Sequence, residues 1–194
     1  MGKIFCLMGK SSSGKDTIFK EIKKKMPFLQ TVTIYTTRPM REHERDGEEY
    51  FFVGEEALDA FQRDNRVIEL REYHTVHGIW KYFTADDGKI CLDEHDYLMI
   101  GTLESYKKIS AYFGENKVIP VYVEVEDGER LFRALSRERM QEHPKYAEMC
   151  RRFLADTEDF SEKNLQRCGI EKRFQNIVLE ECLNEIMLYI QSCL

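Results

Sequence analysis

The stretch that most constrains this chain is Gly9-Lys10-Ser11-Ser12-Ser13-Gly14-Lys15. It follows an apolar run at residues 3–8 (KIFCLM), whose β-branched and aromatic members predict a buried parallel strand. Behind it Ile18, Phe19, Ile22 and Met26 keep helical spacing over residues 15–26, and Pro27 stops the helix. A strand, a glycine-bounded loop and a helix are the context that the G-x-x-x-x-G-K pattern requires. The glycines let the backbone curl until successive N–H groups point at one anion. The helix adds its positive end, and the lysine reaches β- and γ-phosphates. Gly9 to Lys15 therefore predict a nucleoside triphosphate site that continues into Asp16 and Thr17. The position after the lysine usually carries a hydroxyl that ligates Mg²⁺. Here it is Asp16, and a carboxylate is also a hard oxygen ligand, so Asp16 is the expected metal residue.

The remaining pattern predicts an α/β domain with a mainly parallel sheet. Strands are expected at 31–36, 50–53, 67–73, 80–84, 97–101, 118–125 and 174–177, with a turn at His77–Gly78. Pro120 suggests a bulge or a sheet margin. Helices are expected at 55–64, from about 102 to 113, over 127–163 with a break at His143–Pro144, and at 179–193. The short strands between 31 and 84 do not alternate with helices and read as an inserted antiparallel unit.

With 194 residues the chain has room for one domain, with or without a mobile insertion. Its 29 Lys and Arg against 35 Asp and Glu give a net charge of −6, which argues against DNA, RNA or an anionic membrane as partner. No apolar stretch approaches a membrane span, and the amino-terminal run lacks a cleavage site. The six cysteines form no C-x-x-C pair and read as reduced thiols, which places the protein in the cytoplasm. His74 and His77 are the only close histidine pair, and no nearby residues complete a zinc ligand set.

A second informative stretch runs from Thr36 to Phe52. Arg38 and Arg41 are two planar cations three residues apart, able with a tyrosine hydroxyl to clamp a phosphate. The spacing T-T-R-x-x-R-x-x-E-x-x-G-x-[DE]-Y-x-F over these residues, following the glycine-lysine loop, resembles the signature of the guanylate kinase family. The resemblance implies a P-loop core at 1–33, 97–126 and 165–194, a monophosphate-binding insertion at 34–96 and a helical lid at 127–164. The implied reaction is ATP plus GMP giving ADP plus GDP, with Mg²⁺ and small nucleotides as partners. Arg38, Arg41, Tyr50 and Tyr82 match the residues that hold the acceptor phosphate. Glu69 matches the guanine-reading glutamate, Thr84 falls on a base contact, and Asn176 matches an asparagine near the adenine. One carboxylate can accept both the N1–H and the 2-amino group of guanine, and adenine offers neither donor on that edge. Phosphoryl transfer spreads negative charge that lid guanidiniums can stabilise. The resemblance assigns that role to Arg137 or Arg139 and to Arg152, drawn from an arginine set that also holds Arg130, Arg133 and Arg151.

The chain departs from the family at four places. Ile34 stands where a polar residue meets the guanine carbonyl, and Ile100 and Thr102 stand where an Asp-x-Asp ends the strand. Tyr82-Phe83-Thr84 replaces a Tyr-Gly-Ser/Thr step. Thr102 keeps one hydroxyl for the monophosphate. Three readings follow: a GMP or dGMP kinase, a kinase relaxed toward another nucleotide, and a non-enzymatic guanylate-kinase-like binding module. The intact Lys15 and its glycines favour an enzyme.

Overall fold

The computed structural model describes residues 1–75 and 78–194. The apolar run at the amino terminus forms β1 (Ile4–Met8), with every residue buried. The glycine-lysine loop then opens α1 (Lys15–Lys25). β2 (Gln30–Thr31), β3 (Tyr35–Thr36), β4 (Phe51–Phe52), α2 (Glu55–Arg63), β5 (Val67–Thr75) and β6 (Gly78–Ala85) follow. The chain continues through β7 (Tyr97–Ile100), α3 (Leu103–Phe113) and β8 (Val118–Glu124). It closes with α4 (Asp127–Arg139), α5 (Tyr146–Asp159), α6 (Glu162–Arg167), β9 (Arg173–Gln175) and α7 (Leu179–Cys193).

Five strands make the core sheet in the order β2-β7-β1-β8-β9, and every pairing in it is parallel. A parallel sheet needs cover on both faces. Phe5 and Leu7 point to one face and pack with Ile18 and Ile22 of α1 and Leu183, Ile186 and Ile190 of α7. Ile4, Cys6 and Met8 point to the other, against Leu103, Tyr106 and Ile109 of α3 and Leu165 of α6. β1 lies between β7 and β8. The chain thus crosses from one side of β1 to the other, which opens a crevice at its carboxyl end, where open α/β sheets bind ligands.

The second sheet has the order β4-β3-β6-β5. Its hairpin partners run antiparallel as expected, but β3 and β4 run parallel. Phe83, Leu70 and Tyr35 turn to one side of it and pack with Leu58 and Phe61 of α2. Phe83 is fully buried and stacks on Tyr35, with ring centroids 4.9 Å apart. That apolar contact explains a phenylalanine at the position expected to be a glycine step.

One expectation needs correction. The strand expected at 31–36 is two strands in different sheets, because the chain leaves β7 after Thr31 and joins β6 at Tyr35. At Pro120 the bulge is absent, since the residue pairs in unbroken register with Cys6, and the margin is present on its other side. Ile4 donates to the Lys117 carbonyl, so alternate residues of β8 face β1 and Pro120 faces the β9 side. β9 pairs only with Tyr122, Val123 and Glu124, so no ladder bond is lost at Pro120. The turn expected at His77–Gly78 falls partly on residues 76 and 77, outside the described residues.

All six cysteines are free, and burial pushes the Cys6 thiol up to about 12. No helix among the described residues is long and apolar enough to cross a membrane.

Phe83→Ala is expected to cost about 3–5 kcal/mol in a urea titration. Leu188→Ala, at a site 67% exposed on α7, should change stability by less than about 0.5 kcal/mol. Equal effects would contradict this account of the second sheet's core.

Candidate functional site

The loop after β1 is shaped by its glycines. Gly14 has φ +85°, a left-handed backbone, and the Asn176 amide lies where its Cβ would stand. A Cβ at Gly9 would meet the Val123 carbonyl at 2.6 Å. Neither position tolerates a side chain without moving backbone or a buried amide. Asn176 is buried and donates from Nδ2 to the Ser13 carbonyl at 2.8 Å, so it buttresses the loop from beneath. The Ser12 and Ser13 hydroxyls are buried with no hydrogen-bond partner among the described residues.

Four cations gather at this loop. Lys15 opens α1, and its Nζ is 4.0 Å from Asp16 Oδ2. Asp16 is exposed on the first turn of α1 with Thr17, also exposed, beside it. Lys10 donates to Asp127 at 3.1 Å. Arg152 of α5 donates to the Ser11 hydroxyl at 3.2 Å. The fourth cation, Arg130 of α4, is 1% exposed. It donates from Nε to the Ser11 carbonyl at 3.1 Å, is paired with Asp127, and lies over the Phe153 ring at 4.6 Å. From α5 Asp156 accepts the Ser11 backbone N–H at 2.6 Å. One amide of the loop thus already holds a carboxylate.

Sequence reasoning placed Arg130 in the basic set without assigning it to the loop. The signal was its row on α4: Arg130, Ala134 and Glu138 are the buried residues of that helix, spaced by four. The expected lid residues Arg137 and Arg139 are exposed, and neither side chain forms a hydrogen bond among the described residues. The structure brings Arg152 to the loop and leaves those two away from it.

The residues expected to hold the acceptor lie on the second sheet and in the loop that follows its strand β3. Arg38 is buried and held on every side. It donates to both oxygens of Glu44 at 2.5 and 2.7 Å, to the Pro39 carbonyl at 2.9 Å and to the Tyr82 hydroxyl at 3.2 Å. Its guanidinium also covers the Tyr50 ring at 4.9 Å. The Arg41 backbone N–H reaches Glu44, while the exposed Arg41 side chain has no hydrogen-bond partner among the described residues. Hydrogen bonding from Arg38 holds the Glu44 carboxyl below its ordinary range. Burial raises the Tyr50 phenol.

Strand alternation puts Glu69 and Thr84, the residues expected to read the base, on the same sheet face as Tyr82. Glu69 pairs with Thr84 across the hairpin, and Arg71 pairs with Tyr82. Thr84 donates to Glu69 Oε1 at 2.9 Å, and Arg71 grips both Glu69 oxygens, at 2.9 and 3.2 Å. Glu69 and Thr84 are both buried. Gly101 lies against Cys6, and Thr102 follows it. The Thr102 hydroxyl accepts the Ser105 N–H at 3.2 Å in a capping box that opens α3. Its first role is therefore structural, with its remaining hydrogen-bonding capacity still available. Ile34 is half-buried against the core cluster.

The amino-terminal residues 1–83 match the family model described as Guanylate kinase. A guanylate kinase of Thermotoga maritima is 40% identical over 77 residues, which are 40% of this chain and 36% of that protein. One of Tropheryma whipplei is 37% identical over 79 residues, 41% of this chain and 39% of that protein. The chain thus spans little more than a third of the length of these two relatives. A guanylate kinase of Malacoplasma penetrans is 28% identical over 183 residues, 90% of this chain and 81% of that protein. The crystal structure of guanylate kinase from Anaplasma phagocytophilum shares the fold, with a TM-score of 0.64 at 18% identity over 98% of this chain and 85% of that one.

The Arg38–Glu44 pair makes a pH-dependent contribution to stability. The folded carboxyl lies below its ordinary value of 4.5, so the contribution is full above that pH and is lost as pH falls through the lowered value. Glu44→Gln should be less stable than the parent above about pH 4.5, and the two should converge in more acidic solution. Thermal melts across this range provide the check, and a gap independent of pH would contradict the ion pair.

Proposed function

We propose that this chain belongs to the guanylate kinase family and transfers the γ-phosphoryl group of ATP to GMP or dGMP, giving ADP and the nucleoside diphosphate. One observation carries the acceptor half of this reading. A single face of the β5–β6 hairpin bears Tyr82, which touches Arg38, and Glu69 with Thr84, its hydrogen-bonded partner. In this reading the residues that would clamp the acceptor phosphate and those that would read its base share one surface.

The donor half rests on the glycine loop. Its curled backbone and the start of α1 suit triphosphate oxygens. The unpartnered Ser12 and Ser13 hydroxyls are two buried groups that phosphate oxygens would satisfy, and each costs about 1–3 kcal/mol while unpaired. In this reading Lys15 holds the β- and γ-phosphates, and Asn176 keeps the loop curled. Arg152 and Arg130, both bonded to Ser11 of the loop, would stabilise the charge that develops on the transferred group, with Arg137 and Arg139 as further lid residues. Arg38, Arg41, Tyr50 and Tyr82 orient the acceptor phosphate for in-line attack. That acceptor is already an anionic oxygen, so no strong base is required.

The donor set also fits Mg²⁺. Asp16 offers one hard carboxylate at the loop, and Mg²⁺ is commonly held by one or two carboxylates together with phosphates and water. The ion would neutralise charge on the phosphates being transferred. The cytoplasm, with its pool of small nucleotides, is the compartment this reading assigns.

Lys15→Ala should abolish phosphoryl transfer and leave the thermal melt near that of the parent. A coupled assay of ADP release tests this. Near-parental turnover in the variant would overturn the assignment of the loop.

A further inference from the structure

Each polar group of Ser11 is engaged by a residue from the helices that follow β8. Arg130 Nε of α4 donates to its carbonyl at 3.1 Å, Arg152 of α5 donates to its hydroxyl at 3.2 Å, and Asp156 Oδ2 of α5 accepts its backbone N–H at 2.6 Å. Arg152 and Asp156 stand four residues apart, on one face of α5. Phe153, between them, lies under the Arg130 guanidinium at 4.6 Å. No residue of α5 is buried, so polar contacts of this kind, rather than an apolar core, hold that helix to the loop. The amides of a glycine-lysine loop point at an anion, and the anion at the Ser11 amide is a carboxylate of this chain. The same Oδ2 is 3.8 Å from Arg130 Nη2, a buried nitrogen with no hydrogen-bond partner among the described residues. The other two nitrogens of that guanidinium are engaged, Nε by the Ser11 carbonyl and Nη1 by Asp127.

We propose that Asp156 is an internal competitor for the donor nucleotide: its carboxylate fills an anion position on the loop, and a phosphate oxygen binds there by displacing it onto Arg130. The inference rests on the ATP half of the reading above and deepens it. One N–H cannot serve two anions at full strength, and two anions a few ångströms apart repel. Arg130 Nη2 gives the displaced carboxylate a second place. A shift of roughly 1 Å closes the present separation to hydrogen-bond distance, and an unpaired buried donor gains a charged acceptor. Asp156 thus has two positions, Ser11 N–H and Arg130 Nη2, and a phosphate on the loop selects the second. Because the shift is small, Arg152 on the same helix face stays beside the loop. The carboxylate lowers the affinity for triphosphates and leaves the second sheet untouched.

The test is calorimetric titration of MgATP, and separately of inorganic triphosphate, into the parent, Asp156→Asn, Asp156→Ala and Glu158→Gln. Asparagine keeps an acceptor for the Ser11 N–H but gives up the charge, and a neutral hydrogen bond is about half as strong. ATP should bind about threefold tighter to Asp156→Asn and about tenfold tighter to Asp156→Ala. Inorganic triphosphate should follow the same order, because the base takes no part. KM for ATP should fall in that order too, while KM for GMP stays within about twofold. Glu158→Gln removes an equal charge from an exposed position of α5 and should bind ATP within about twofold of the parent. In the parent itself, the NMR signal of the Ser11 amide proton should move as ATP saturates the protein. An ATP affinity unchanged or weaker in both Asp156 variants, or a Ser11 signal that stays in place at saturation, would overturn this inference and leave the kinase reading intact. Equal tightening in Glu158→Gln would also overturn it, since net charge alone would then account for the effect. A parent that binds no ATP would overturn both.

Discussion

Positive charge held in reserve on carboxylates is the interaction on which this structure depends. Arg38 is held by Glu44, Arg71 by Glu69, Arg130 by Asp127, and Lys10 by the same Asp127. A site that receives phosphates must gather cations, and unscreened cations a few ångströms apart repel by several kcal/mol at the dielectric of a protein surface. Burial sharpens the problem, because a guanidinium out of water without a partner carries a large desolvation penalty. Each partner carboxylate removes the repulsion and fixes a rotamer before substrate arrives.

The two sheets divide this work. The parallel sheet delivers a curled loop at the carboxyl end of its central strand, pressed from below by Asn176 and from the side by Arg130. The second sheet uses strand alternation to separate tasks. Phe83 and Leu70 build its core with α2, while Tyr82, Glu69, Thr84 and Arg71 share the opposite face. Substitution on one face should leave the chemistry of the other intact, because period-two geometry keeps their side chains apart.

Much of this was legible in the sequence wherever partners are close along the chain. The glycine-lysine loop, its flanking strand and helix, and the Arg38-to-Tyr50 stretch are local patterns, and the elements formed where they indicated. What was hidden depends on distant partners. Arg130 meets the loop across 119 residues and Asp156 across 145, and nothing in a helical charge pattern announces such a contact. Residues 31–36 carry continuous strand propensity, and propensity alone cannot show that the chain changes sheets partway through. Arg71 lies two residues from Glu69, and nothing in that spacing marks it as the glutamate's partner. Only the side-chain geometry shows that it takes up most of the glutamate's acceptors.

In the proposed reaction the phosphoryl group passes from ATP to a purine nucleoside monophosphate, with neither water nor a protein side chain as acceptor. Phosphorus-31 NMR of the protein with ATP, GMP and Mg²⁺ follows every phosphate at once. The account predicts that the γ-phosphate signal of ATP disappears while β-phosphate signals of ADP and GDP grow in equal amounts, with no inorganic phosphate formed. Inorganic phosphate growing in place of GDP, or an unchanged ATP spectrum, would contradict it.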